Sequence, residues 1–585
     1  MAPTFDPKSW QASKRAQRTG SGDSLYFGEF AGEQWVYFRP PHYMPEVQKE
    51  WMSGWWDKSE GAYRLPKLRL LVERAQQMVG VSTDQDVQDW LDESAPKADT
   101  VFDSPDWYER RSSFARWEDL YPFQRNAVSQ LVESDRGQLE VLNPGLGKTV
   151  VAIAAAEILG LKRVLVVCPK PLRRNWAREI REWSDGDVEI RDAKDGGPGN
   201  SRWTVTNYEA ISLKHDVETD QWGRGIAIKG PYADVDWDVI ILDETIMLKN
   251  RKAKRTKACQ ALAKCTPKLW MLSGSPVAKG NEDAWAQLNM LRPTWITAFW
   301  RFAAEYSIVE RGTYGMQILG SRSNREMSKE LPEMLFARTM DEVLPDLPDY
   351  ITKVEEVELT KGQAKAHKQA LDGLIEEFEG MGDSKINVPN ALTAITRASQ
   401  VTSNLCNLRT TGHDFKDESA KADWIMAALE GEGEVLELPA VIWTFHKPGA
   451  EALYKRLQDK GYNVGLATGD TDAAEQVELF RDEKLDILIL SLGVGKYGHN
   501  LQRTKTFIYL DRIMDSDAMF QSWWRGRRIG LKHRPVLYIL RAPGSIDEFI
   551  EDNLAGKMPS LSGVTGQDLA KLLRNIGLDT SGREG

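Results

Sequence analysis

Cysteine is scarce in this chain and what there is lies scattered. Four cysteines (Cys168, Cys259, Cys265 and Cys406) in 585 residues exclude a disulfide framework. Cys259 and Cys265 stand close together, but no Cys or His pair nearby completes a zinc tetrahedron, so a structural metal is not expected. No unbroken apolar run approaches the roughly 20 residues that a bilayer-spanning helix needs. The opening stretch, MAPTFDPKSWQASKRAQRTG, has basic residues with no apolar segment behind them, unlike a secretory leader. No repeat of short period is visible. These absences lead us to expect a soluble intracellular protein with no membrane partner. The compact accessory content suits a bacterial cytoplasm or a bacteriophage.

What is present is ordinary for a large globular protein: 41% hydrophobic and 28% charged residues, length enough for about four domains. The net charge of −10 excludes little, because phosphate contacts depend on local basic surface and not on the total.

Residues 1–115 differ from the rest by their tryptophans: Trp10, Trp35, Trp51, Trp55, Trp56, Trp90 and Trp107, with Trp117 just beyond. LYFGEF (25–30) and WVYFRP (35–40) predict a β-hairpin, a short helix is expected near 45–53, and a second extended pair surrounds WWDKSEGAYRLP. KLRLLVERAQQMVG (67–80) has helical spacing and ends on Gly80, and the acidic, proline-containing stretch 91–107 is read as a linker.

From about 118, short aliphatic runs alternate with helical patterns. VLVVCP (164–169), WTVTNY (203–208), VIILDE (239–244) and LWMLSG (269–274) have the character of strands buried on both faces. The alternation returns at AVIWTF (440–445), VGLATG (464–469), DILILS (486–491), TFIYLD (506–511) and VLYILR (536–541). Between the two blocks lie helical patterns near 361–380 and 390–408 and a proline-marked junction, LPDLPDY (344–350).

Three segments carry chemistry. In LNPGLGKT (142–149), Gly145 and Gly147 let backbone N–H groups close around phosphates, Lys148 supplies charge to the β/γ-phosphates, and Thr149 offers magnesium a hydroxyl. The loop follows an apolar strand and opens a helix, whose N-terminus favours an anion. Leu142 stands where the general pattern has its first glycine. Asp243-Glu244 ends the apolar run VIIL, which suits Asp243 to hold magnesium and Glu244 to orient the attacking water. In QSWWRGRRIG (521–530), Arg525 and Arg528 are spaced to share one face of a helix and to meet the charge that spreads over a transferring phosphoryl group. A further basic run, LKNRKAKRTK (248–257), reads either as a phosphate track or as the solvated face of a helix.

Taken together and in order, these segments resemble the Swi/Snf branch of superfamily 2 helicases over about residues 118–555. YPFQRNAV (121–128) is similar to that family's adenine-reading motif and implies a nucleotide contact from Gln124. VLVVCPKPLRRNW (164–176) and TVTNYE (204–209) resemble the motifs that touch the DNA backbone, which points to Arg173 and Arg174. DETIMLKN matches the DE-box, with Thr245 and Ile246 where the family has Ala-His; LSGSPVAKG (272–280) corresponds to the coupling motif, with Ser273 and Ser275 for threonines. LSLGVGKYGHNL (490–501) resembles the glycine-rich motif, with Gly495, Gly498 and Asn500, and implies that Gly498 lies beside nucleotide and Asn500 beside DNA; QSWWRGRRIG carries the arginine motif and adds Gln521 to the nucleotide contacts. The tryptophan-rich module over about 30–80 looks like the substrate-recognition module of annealing helicases, although its aromatics also suit a small core.

The expected fold class is α/β: two tandem RecA-like, doubly wound parallel-sheet lobes with a helical insertion and a small N-terminal α+β module. The expected boundaries are 1–115 for the module, 116–300 for the ATP-binding lobe, 301–420 for the insertion, 421–555 for the second lobe and 556–585 for a C-terminal helix and tail. The resemblance implies a DNA-dependent ATPase that uses ATP and magnesium to move along double-stranded or branched DNA. Two rivals are a strand-separating DNA or RNA helicase and a non-catalytic nucleotide-dependent DNA-binding scaffold.

Overall fold

The computed structural model describes residues 25–30, 33–39, 56–57, 62–65, 72, 75–76, 82–93 and 105–554, the last range without 214–215, 220–223, 276, 278–279, 294–295, 297, 313–314, 323–326, 381–387, 411–412, 415, 496–500 and 532. The expected helix at 45–53, most of the one at 67–80, and the C-terminal helix and tail lie outside the described residues. The chain divides into two compact units: 1–143 with 147–343, and 344–585 with the loop residues 144–146.

In the first unit the aliphatic runs assemble into one seven-stranded sheet. Its order is Leu335–Arg338, Leu139–Leu142, Lys268–Ser273, Val239–Asp243, Val164–Cys168, Trp203–Asn207 and Val188–Ile190. Every pairing in it is parallel. Parallel strands need crossover connections, and the helices that make them bury both faces of the sheet. Hence Val164–Cys168, Trp203–Asn207 and Val239–Asp243 are buried along their whole lengths. One face packs Leu165, Val167, Ile240, Leu242 and Met271 into the main core with Tyr208, Leu262 and Trp285.

The second unit repeats the design with six parallel strands, ordered Ile351–Glu356, Val536–Arg541, Thr506–Tyr509, Ala440–Thr444, Ile487–Ser491 and Val464–Ala467. Ile442, Ile489 and Ile508 face one core, and Val441, Leu488 and Phe507 face the other, as the alternation of side chains requires.

The stretch 301–420 differs from a helical insertion. Leu335–Arg338 extends the first unit's sheet beside Leu139–Leu142, while Ile351–Glu356 forms an edge of the second unit's sheet. Ser307–Gly312 and Gly315–Ser321 form an antiparallel hairpin. Only the later part is helical, in Lys361–Gly380 and Val388–Ser403.

The N-terminal module holds a four-stranded sheet in the order Leu25–Phe30, Glu33–Phe38, Ala62–Leu65, Trp56–Asp57, with antiparallel pairs throughout. One face packs Leu25, Val36, Phe38 and Leu65 with Val72, Val87 and Leu91; the other holds Tyr26, Trp35 and Tyr37.

Candidate functional site

The strand Leu139–Leu142 delivers the chain into the glycine loop, and the helix Lys148–Ile158 begins directly after it. Gly145 and Gly147 have φ of 95° and 81°, a left-handed backbone that glycine adopts without strain. At Gly147 space is also short, since a Cβ there would lie 2.4 Å from Gln124 Nε2. Gln124 is fixed by its own helix: its Oε1 accepts the Tyr121 N–H (3.0 Å) at the start of Pro122–Glu133. The structure therefore brings Gln124 and Gly147 together. Lys148 folds back along the loop, its Nζ donating to the Leu142 carbonyl (2.9 Å), and Thr149 stands in the first turn of the helix.

Two positions along the sheet, Val239–Asp243 ends in the acidic pair. Asp243 is buried and held at three points. Trp176 Nε1 donates to Oδ2 (2.8 Å), the Glu244 N–H donates to Oδ1 (2.8 Å), and the Tyr208 hydroxyl donates to the carbonyl oxygen (2.6 Å). Burial first, and then the Glu244 charge, push the Asp243 carboxyl up to about 6; the Trp176 bond and the Lys148 charge work in the other direction. Glu244 has φ 52° and ψ 52°, the left-handed region that a non-glycine residue rarely enters. Thr245, fully buried, places its Oγ1 2.7 Å from Gln287 Oε1 and 3.4 Å from the Leu272 carbonyl. In the serine segment that follows Leu272, Ser275 Oγ donates to the Val277 carbonyl (2.6 Å), closing a tight turn.

The other candidates are placed as follows. Arg173 is buried and committed within the unit, donating to the Arg191 carbonyl (3.1 Å) and pairing with Asp192 (3.1 Å), whereas Arg174 is exposed. In the basic run, Arg251 stacks on the Phe299 ring (4.5 Å), while Lys252 and Lys254 are exposed. In the second unit, Gly495 ends the short helix Leu492–Gly495, and Gly498 and Asn500 lie outside the described residues. Gln521 sits in the helix Ser516–Trp523 with a buried Oε1 that accepts no hydrogen bond among the described residues.

Arg525 and Arg528 do not share a helix face. The helix ends at Trp523, and both arginines lie in the turns beyond it. Glycines explain the stop: a Cβ on Gly526 would lie 2.4 Å from the Phe507 ring, and Gly530 has φ of 86°. Arg525 is buried and Arg528 partly exposed. Tyr350 supports this segment by donating its hydroxyl to the Trp523 carbonyl (2.6 Å).

The residues fit a magnesium–nucleotide. A glycine cradle closed by Gln124 and a helix N-terminus suit phosphates. The buried Asp243 carboxylate suits magnesium, which takes few protein ligands when phosphates supply others, and Thr149 carries a hydroxyl in the first turn of the helix Lys148–Ile158. Among the described residues there is no cluster of three or more His, Cys, Asp or Glu for another metal, and no helix is long and apolar enough to cross a membrane.

Sequence reading missed Trp176, Tyr208 and Gln287, because the bonds that matter join residues far apart in the chain. The available signal was a polar-tipped aromatic in each of two motif segments, Trp176 in RRNW and Tyr208 in TNYE, together with the unusual Thr245.

A phosphate loop and an acid pair on strand ends of a doubly wound parallel sheet define a RecA-like α/β nucleotide-binding protein. More specifically, the chain belongs to the SNF2-related domain family, whose model matches residues 69–407, more than half its length. It is similar to SWI/SNF-related matrix-associated actin-dependent regulator of chromatin subfamily A-like protein 1 of Xenopus tropicalis, at 25% identity over 74% of this chain and 43% of the relative. The Bos taurus protein of that name is 29% identical over the same shares. The DNA annealing helicase and endonuclease ZRANB3 of Bos taurus is 22% identical over 77% of this chain and 40% of the relative. The chain thus spans less than half the length of these three relatives. Among solved structures, the Sulfolobus solfataricus SWI2/SNF2 ATPase core in complex with double-stranded DNA matches 79% of this chain and 95% of that one, at 20% identity and a TM-score of 0.34.

Proposed function

We propose that this chain is an ATP-dependent DNA translocase of the Swi/Snf-like branch, which hydrolyses ATP to move along double-stranded DNA and to remodel forks or displace bound proteins. One observation carries the reading: in the first unit, Gly147 and Lys148 open the helix that follows the phosphate loop, and the Asp243-Glu244 turn of the same unit has its second residue held in a left-handed backbone. Strain of that kind persists where surroundings over-determine it, and functional sites are where it collects.

In this reading the loop amides around Gly145 and Gly147 and the start of the Lys148–Ile158 helix bind the phosphates, and Lys148 turns from the Leu142 carbonyl to the β/γ oxygens. Thr149 and Asp243 hold the magnesium, which when bound neutralises charge on the phosphates. Glu244 orients the attacking water and takes up its proton. Gln124 lies within reach of the loop and reads the nucleotide from there, with Gly498 and Gln521 as further contacts. Arg525 and Arg528, carried by the second unit, supply positive charge to the phosphoryl group as it transfers. Arg174, Lys252 and Lys254, exposed on the first unit, are the basic side chains offered to DNA phosphates, with Asn500 from the second. The relatives' printed names, among them a DNA annealing helicase, support DNA as the track and branched DNA as a target.

The test is the ATPase rate measured side by side without nucleic acid and with single-stranded DNA, duplex, forked DNA and RNA. Duplex and forked DNA are expected to stimulate well above RNA, with binding that weakens steadily as salt rises. Stimulation by RNA alone would make the chain an RNA helicase, and no turnover under any condition would make it a scaffold.

A further inference from the structure

Glu244 and Glu483 are the two non-glycine residues with positive φ among the described residues, and of these Glu483 is exposed while Glu244 is buried. A long side chain at φ 52° and ψ 52° relaxes to a right-handed or extended backbone unless its neighbours forbid it. On the N-terminal side, Asp243 is immobilised by the Tyr208 hydroxyl on its carbonyl (2.6 Å) and by Trp176 on its carboxylate (2.8 Å). On the C-terminal side, Thr245 is tied through Oγ1 to Gln287 Oε1 (2.7 Å), in the helix Trp285–Leu291. The Leu272 carbonyl lies 3.4 Å from the same oxygen. A hydroxyl has one proton for two acceptors, so the shorter contact to Gln287 takes it. Tyr208, Thr245 and Gln287 are each fully buried. They hold the backbone on both sides of Glu244 from within the core.

We propose that Thr245, with Tyr208 as its counterpart, is a positioning residue that holds Glu244 in its left-handed conformation, and that the rate of water attack depends on this hold. The proposal rests on the reading of Glu244 given above. In a plain core, valine has the shape of threonine and could replace it; here the hydroxyl fixes one end of a strained residue. Losing it lets the 243–245 backbone relax and carries the Glu244 carboxylate away from its working position, while the phosphate loop, the Trp176 bond and the nucleotide contacts stay as they are.

The test uses the full chain and four variants: Thr245→Val, which keeps the shape and removes the hydroxyl; Thr245→Ser, which keeps the hydroxyl; Tyr208→Phe; and Glu244→Gln as reference. Steady-state ATPase with saturating duplex DNA gives kcat and KM, titration with a fluorescent non-hydrolysable ATP analogue gives affinity, and a thermal melt gives Tm. Thr245→Val and Tyr208→Phe are expected to lose about tenfold or more in kcat with analogue affinity within about twofold of the parent, because misplacement by about 1 Å costs rate and not binding. Thr245→Ser is expected to restore most of the rate. Parental kcat in Thr245→Val overturns the proposal, as does an equal loss in Thr245→Ser, or a loss of kcat matched by loss of affinity. Glu244→Gln separates the two layers. If it turns over at the parental rate, the role of Glu244 itself is wrong; if it is inactive while Thr245→Val is fully active, only the positioning inference fails.

Discussion

Glu140 stands in the strand that leads into the phosphate loop, fully buried, with neither carboxylate oxygen accepting a hydrogen bond among the described residues. Burial pushes its carboxyl well above the ordinary 4.5, and the Arg338 charge on the neighbouring strand recovers part of the shift. The unfolded chain ionises near 4.5, so the contribution of Glu140 to stability is fully present below that pH and is lost as pH rises toward the folded value. Glu140→Leu should therefore melt above the parent at pH 7–8, by at least about 2–4 °C, the shift that ~1 kcal/mol produces in a domain of this size. The gain should shrink once the pH falls below about 4.5. A leucine variant that melts lower at pH 8 would show that the ionised carboxylate has a stabilising partner. Little of this was legible beforehand: LEVL reads as a strand, but whether its glutamate finds a donor depends on strands more than a hundred residues away.

Among elements, the fully buried parallel strands were the most legible, because an aliphatic run such as VLVVC has few other stable environments. The arginine segment was less so. Spacing alone suggested a helix, and the close approach of Gly526 to Phe507 and the left-handed Gly530 override it. The role proposed for the segment is checked at Arg528: Arg528→Ala should bind ATP as the parent does and lose hydrolysis by about a thousandfold. Nucleotide titration and single-turnover rates distinguish this from a structural role, in which affinity falls and the rate per bound ATP persists. A second element-scale feature joins the helices Val388–Ser403 and Ala420–Leu429 to the start of Ile546–Leu554. Lys421, buried, donates to Asp547 (2.6 Å) and to the Leu510 carbonyl (3.2 Å), and Asp547 also accepts from Thr402 (2.8 Å). Burial opposes ionisation of Asp547, but the Lys421 charge together with hydrogen bonds from Lys421, the Ala542 N–H and Thr402 keeps the carboxyl below its usual range. Lys421→Met leaves a buried carboxylate without its cation and should cost about 3–5 kcal/mol, whereas Lys421→Met with Asp547→Leu should recover much of that. Equal denaturant midpoints for the parent and Lys421→Met would contradict this.

For the whole molecule, the sequence showed two α/β blocks and a proline-marked junction at 344–350, where the two units divide, but 301–420 was read as a helical insertion between them. Leu335–Arg338 and Ile351–Glu356 are short, partly exposed edge strands, and nothing local in them tells which sheet each will join. Trp35, Trp90 and Trp107 serve as packing: Trp35 is buried beside Tyr26 and Tyr37, Trp90 meets the edge of Phe27 at 6.2 Å, and Trp107 donates to Glu133 (2.7 Å). Trp51 and Trp55 lie outside the described residues. Trp35→Ala should accordingly destabilise the N-terminal module by about 3–5 kcal/mol and leave duplex-stimulated ATPase in place. An unchanged melt with lost fork preference would instead make Trp35 a base-stacking residue.

Movement along duplex DNA driven by ATP is tested most directly by displacement of a third strand from a DNA triplex. The parent protein should release the third strand only when ATP is hydrolysed and leave the underlying duplex paired, while Lys148→Ala should bind the same DNA and release nothing. Active ATP turnover with no third-strand release, or release that Lys148→Ala matches, would contradict it.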